Sequence, residues 1–99
     1  MAARGVVLAS NISAVANQPP VTWNPGGRSV ITIHATVFPN NCFLQILGAD
    51  NLTWVPVNTS AFTNNQQAVY DLVAGQYRIS MSGGTCTALY ATLVSVPYY

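Results

Sequence analysis

The strongest constraint on the fold is a strict two-residue alternation in the run 76–82. Its apolar residues, Tyr77, Ile79 and Met81, alternate with polar ones, and this period is typical of a β-strand with one buried face. Similar runs lie on either side, and glycines mark both connections. Because glycine readily adopts the positive φ angles of tight turns, the sequence predicts a three-stranded antiparallel meander over residues 67–96.

Upstream, the chain carries more short strand-like runs separated by Pro, Gly and Asn turn signals. The runs are 21–24, 28–38, 42–47 and 52–57. Since Pro56 cannot donate a hydrogen bond to a neighbouring strand, the last run is predicted at a sheet edge. No segment shows the helical period of about 3.6 residues. Seven or eight short strands at this spacing predict an all-β fold, a single antiparallel β-sandwich with either jelly-roll or Ig-like connections.

The N-terminal segment lacks a clean period. Residues 1–20 are predicted to form an extended arm that ends at Pro19-Pro20, followed by a β-sandwich domain over residues 21–99. Docking on the domain itself and docking on a neighbouring subunit both fit the pattern. The segment faintly resembles a signal peptide, but its apolar stretch is short and interrupted, so we expect an unprocessed chain. The predicted interface residues are apolar arm residues and aromatic anchors: Val6, Val7, Leu8, Ile12, Val15, Trp23, Tyr98 and Tyr99.

Charge is nearly absent from the chain. Only 5% of the residues are charged, whereas about 25% is typical of a soluble domain. A near-neutral surface favours association, so we expect the chain to self-associate in a defined way. Without a basic patch, nucleic acid is not an expected partner. Without an apolar run of about 20 residues, a membrane is not expected either.

No combination of residues predicts catalysis. His34, the only histidine, is predicted on the polar face of a strand, with no nucleophile beside it. Asp50 and Asp71 are interpreted as isolated structural acids, with a calcium site at Asp50 as a weaker alternative. Cys42 and Cys86 lack zinc-ligand spacing and are predicted to be reduced, buried thiols. We therefore predict no catalytic residues, no metal ligands and no cofactor.

The span 43–96 resembles a family of small proteins found in the structural gene blocks of tailed bacteriophages. The resemblance rests on the segments LQILGADNLTWVPV, AVYDLVAGQYRISMSGGT and ALYATLV. It implies a β-sandwich virion protein, a capsid decoration or cement protein that stabilises the head shell as a trimer. The implied partners are the major capsid protein or other virion subunits. The implied location is the capsid surface, after synthesis in the host cytoplasm.

Two alternatives remain open. One is a glycan-binding β-sandwich module in which Trp23, Trp54 or the pair Tyr98 and Tyr99 stack on sugar rings. The other is a different virion part, such as a tail or fibre-base subunit. Both are non-enzymatic, and they differ from the first hypothesis in the partner that the exposed surfaces would contact.

Overall fold

The computed structural model describes residues 5–24 and 27–96, and within them it contains eight β-strands and no helix. The prediction of an all-β chain with seven or eight strands is confirmed. The strands, in chain order, are β1 (Gly5–Ile12), β2 (Val21–Trp23), β3 (Gly27–His34), β4 (Asn41–Leu47), β5 (Trp54–Pro56), β6 (Gln66–Leu72), β7 (Gly75–Ser82) and β8 (Leu89–Ser95).

The strands form two antiparallel sheets of four, in the order β1-β8-β3-β6 (sheet 1) and β2-β7-β4-β5 (sheet 2). Strand β1 pairs with β8, β2 with β7, β3 with β6, and β4 with β5. The chain is thus one long antiparallel hairpin, with β4 and β5 at its tip, rolled over into two facing sheets. Eight strands connected in this way form a jelly roll, so the Ig-like alternative is excluded.

The predicted meander over 67–96 is wrong in its pairing, although its three strands all form. Strand β6 lies in sheet 1, β7 lies in sheet 2, and β8 returns to sheet 1. The corner between β6 and β7 is closed by the Tyr77 hydroxyl, which donates to the carbonyl of Val73 at 2.6 Å. Crossing between sheets buries Leu72 and Tyr77 in one core, because each sheet covers the apolar face of the other.

The prediction of an N-terminal arm outside the sandwich is also wrong, because β1 is an edge strand of sheet 1. A register shift between Val7 and Ala9 allows two successive side chains, Leu8 and Ala9, to be buried, as happens at a β-bulge. The chain then crosses to sheet 2, where the amide of Gln18 donates to the carbonyl of Ile79 at 2.9 Å. The segment therefore docks on its own domain and completes the sandwich.

The core fills the space between the two sheets, since alternate side chains of each strand point inward. Strand β5 lies at the edge of sheet 2, as Pro56 predicts. The intervening side chains of each strand point outward, and the candidate surfaces are formed by these side chains. The buried side chains include Ile31, Ile33, Leu89, Ala91 and Leu93 from sheet 1, Trp23, Cys42, Leu44, Tyr77, Ile79 and Met81 from sheet 2, and Phe62 and Cys86 from loops.

Candidate functional site

The structure separates the predicted interface residues. Leu8 and Trp23 are 3% and 0% exposed, so their prediction as interface residues is wrong, and both fill the core of their own chain. Val7, by contrast, is 57% exposed and faces outward from sheet 1. The remaining predictions divide into residues half-buried against the core, namely Val6, Ile12 and Val15, and residues outside the described part of the chain, namely Tyr98 and Tyr99.

The outer face of sheet 1 carries two neighbouring rows of aligned side chains. One row consists of valines and the other mainly of polar residues, because cross-strand register partners point to the same side of a sheet. We define the valine face as these two rows: Val30, Val69 and Val94 in the first, and Val7, Thr92, Thr32 and Gln67 in the second.

The valine face is uncharged, and it is most exposed on the two edge strands. Two of its valines, on β1 and β6, are 57% and 59% exposed. The nearest charged pair, Arg28 and Asp71, are register partners beyond the valine row. At the β1 end of that row Gly5 lies opposite Val94, and a Cβ atom at Gly5 would lie 3.2 Å from the Val94 side chain. The glycine therefore leaves room for the valine at the sheet edge.

An aromatic pair continues this surface at the end opposite Arg28. His34 and Tyr90 are register partners on β3 and β8, and their rings stack with centroids 5.0 Å apart and an interplanar angle of 16°. His34 is exposed on the outer face, as its strand position predicts. Aromatic residues are enriched at protein interfaces, so this pair extends the candidate surface without adding a carboxylate or a cysteine.

Beside β1 lies an open groove of about 290 Å³. It runs between this edge strand and the segment that crosses to sheet 2. Its lining is apolar except for two polar residues, Ser10 and Gln18. Val7 belongs to both the groove and the valine face, so the two surfaces are continuous around the edge of sheet 1.

The outer face of sheet 2 carries a cation that is held by two neighbouring side chains. The guanidinium carbon of Arg78 lies 4.3 Å from the centroid of the Trp54 ring, and its Nε donates to Oε1 of Gln45 at 2.9 Å. These contacts hold the guanidinium in one orientation by cation–π attraction and hydrogen bonding. We call Arg78, Trp54 and Gln45 the Arg78 site.

The carboxylate of Asp50 accepts three local hydrogen bonds in the β4–β5 turn. It accepts the amides of Leu52 and Thr53, both at 2.9 Å, and the Thr53 hydroxyl at 2.6 Å. These bonds, that from the Thr53 hydroxyl first, lower the pKa of Asp50 to about 2. Such a group is ionised at neutral pH and is not a general acid. Among the described residues no group of three His, Cys, Asp or Glu side chains could hold a metal ion.

Cys42 and Cys86 are both free and buried, as the sequence predicts. Burial raises the pKa of the Cys42 thiol to about 12, and the nearby Cys86 adds to this effect. The Cys86 thiol donates to the carbonyl of Ile12 at 3.2 Å. Because His34 lies on an outer face and both thiols lie inside, the structure brings no histidine to either cysteine. Both behave as packed side chains, since nucleophilic attack requires the thiolate.

Sequence reasoning missed the valine face and the Arg78 site. A signal for the first exists, because Val30, Val69 and Val94 occupy positions that alternation assigns to solvent. No comparable signal exists for the second. Gln45 lies 33 positions from Arg78, and only the pairing of β4 with β7 and with β5 brings the site together.

Comparison of the chain with protein-family models, with curated proteins and with solved structures gave no match. The described residues include no helix that could cross a lipid bilayer. The resemblance to tailed-phage structural proteins therefore stays a prediction.

Proposed function

We propose that the chain is a non-enzymatic structural protein of a bacteriophage virion, a capsid decoration or cement protein that stabilises the head shell. The observation that carries this proposal is the valine face. Exposed apolar patches on soluble proteins mark interaction sites, and this face carries exposed valines, no charged residue and an aromatic pair at one end. The jelly roll adds support by analogy alone, because capsid domains and lectins both use it.

The valine face supplies apolar binding energy. Fully burying a valine side chain stabilises a complex by about 1.5 kcal/mol or more. Val7 and Val69 are more than half exposed. Burying the exposed part of both side chains on docking would stabilise the complex by about 2 kcal/mol per copy, before the cost of association. One copy would therefore bind weakly. A homotrimer that presents three such faces to a lattice of capsid subunits would bind far more tightly through multivalency.

The test replaces one valine of the face with arginine. Val69→Arg keeps the fold, because the side chain is already 59% exposed, but docking would then bury an unpaired charge. Gln76→Arg, on the exposed outer face of sheet 2, is the matched control. Co-sedimentation with head shells of the phage that encodes the chain should fall at least about tenfold for Val69→Arg and stay unchanged for Gln76→Arg. Equal binding of the two variants, or no binding of the parent chain, contradicts the proposal.

The oligomer is tested separately. We expect light scattering to give the mass of a trimer, or of a monomer that trimerises on the shell. The surface carries few like charges to oppose association. A monomer that never associates, even with shells present, contradicts this part of the proposal. A subunit of the tail or fibre base would bind through the same face. The position of the chain in the particle distinguishes this alternative from a location on the head shell.

The alternative of glycan stacking on exposed tryptophans is weakened. Trp23 is fully buried, and its indole Nε1 has no hydrogen-bond partner, so it is not a surface platform. Trp54 is half-buried and has the Arg78 guanidinium on its ring. Any ligand at this position would meet the cation as well as the ring.

A further inference from the structure

The Arg78 guanidinium is held in one orientation, but only some of its N–H groups donate hydrogen bonds to described residues. Its Nε donates to Gln45, and one of its π faces covers Trp54. The end of the guanidinium that carries the two Nη groups has no partner among the described residues. Two parallel N–H groups on a fixed guanidinium are the donor geometry that binds a carboxylate through two hydrogen bonds.

No acid of the described chain neutralises this cation. Asp50 is committed to its own turn, and Asp71 lies on β6 of the other sheet, opposite Arg28. Arg78 is half-buried on the central strand β7, where its charge is partly removed from water. A single negative charge supplied from outside would complement this position.

The side chains around Arg78 are polar and uncharged. Gln76 lies on the same outward side of β7, with Thr22 as its register partner on β2, and Gln45 is the register partner of Arg78 on β4. One cation among amides and hydroxyls matches a ligand with one carboxylate and several hydroxyl groups. We propose that the Arg78 site binds an acidic sugar, a uronic acid or a similar carboxylated ring, with the carboxylate on the two Nη groups.

An acidic sugar fits better than an acidic peptide. A uronic acid carries one charge per ring, and its hydroxyls can use the amide and hydroxyl groups on either side of Arg78. An acidic peptide segment brings further charges, for which the described outer face of sheet 2 offers no second cation. This site is independent of the valine face, so its failure leaves the shell-docking proposal standing.

The experiment is an NMR titration of the full chain with glucuronate. Glucose, which lacks the carboxylate, and acetate, which lacks the sugar ring, are the control probes. Glucuronate should shift the Arg78 Nε–H and Trp54 indole signals in a saturable way. Glucose should leave both unshifted, and acetate should bind about tenfold more weakly. Unshifted signals with glucuronate overturn the site. Acetate binding as tightly as glucuronate overturns the sugar assignment.

Two variants test the role of the guanidinium. Arg78→Lys keeps the charge but loses the planar pair of donors, and Gln45→Glu keeps the shape but places a competing carboxylate beside Arg78. Each should weaken glucuronate binding about tenfold or more, whereas Arg28→Lys on the opposite sheet should change it less than about twofold. Circular dichroism confirms that each variant folds. An equal loss in Arg28→Lys, or full binding in Gln45→Glu, overturns the proposal.

Discussion

Leu8→Ala is the sharpest test of the jelly-roll closure, because β1 completes the fold only if its side chains belong to the core. Leu8 is 3% exposed at the bulge of an edge strand. Leu→Ala changes in protein cores cost about 2–5 kcal/mol, and a site at a sheet edge that can partly relax lies near the lower end, about 2–3 kcal/mol. A domain of this size is stable by about 5–15 kcal/mol, so the loss is large.

The assay is urea unfolding followed by circular dichroism, with the thermal midpoint as a second measurement. At about 4–8 °C per kcal/mol for a domain of this length, the Tm should fall by about 10–20 °C. Val7→Ala is the matched control. Its side chain is the immediate neighbour but is 57% exposed, so its effect should stay within about 0.5 kcal/mol. A Leu8→Ala effect as small as that of Val7→Ala would mean that the segment is an arm and that the closure by β1 is wrong.

Further predictions concern the Cys42 thiol, the Asp50 carboxylate and two glycines, Gly84 and Gly75. With its pKa raised to about 12 by burial, Cys42 should stay unreactive towards a disulfide reagent at pH 8 until the chain unfolds, and rapid reaction in the native state contradicts this. The pKa of Asp50 is lowered from 3.8 to about 2, so the turn bonds persist at pH 4 and are lost as the pH falls through about 2. A carboxyl NMR midpoint near the ordinary value would refute that assignment. Gly84→Ala should destabilise by more than about 1 kcal/mol, because φ is +71° and a Cβ would lie 2.8 Å from the Asn40 side chain. Gly75→Ala, where a Cβ would meet only Ile46 at 3.7 Å, should be neutral within about 0.5 kcal/mol in the same unfolding measurement.

The strands were predictable because the two-residue period is a local property. The pairing was not, since alternation shows which side chains share a face but not which strand lies alongside. The connection Val73-Ala74 illustrates the limit. A hairpin through it would place Tyr70 opposite Tyr77 on one apolar face, so the pattern fits a meander as well as a crossing. The two residues of this connection argue against a tight hairpin, because two-residue hairpin loops favour Gly, Asn or Asp.

The N-terminal segment shows a second limit. Its irregular pattern reflects the bulge, which places Leu8 and Ala9 in succession into the core and breaks the period that identifies a strand. The burial of Trp23 is a property of the assembled sandwich, since β2 contributes only three residues and Trp23 is buried in the core cluster that both layers share. Site prediction failed for the same reason, because an outer face combines residues from four strands that are distant in sequence.

The most direct test of the proposed structural role is an image reconstruction of the virion in which we propose that the chain is assembled, at a resolution that distinguishes the two sheets. We expect copies of the jelly roll on the head, with sheet 1 turned towards the shell, Val7 and Val69 at the contact, and the Arg78 site facing solvent. A particle without the chain, or one in which sheet 2 faces the shell and the valine face is open to solvent, would contradict the proposed role.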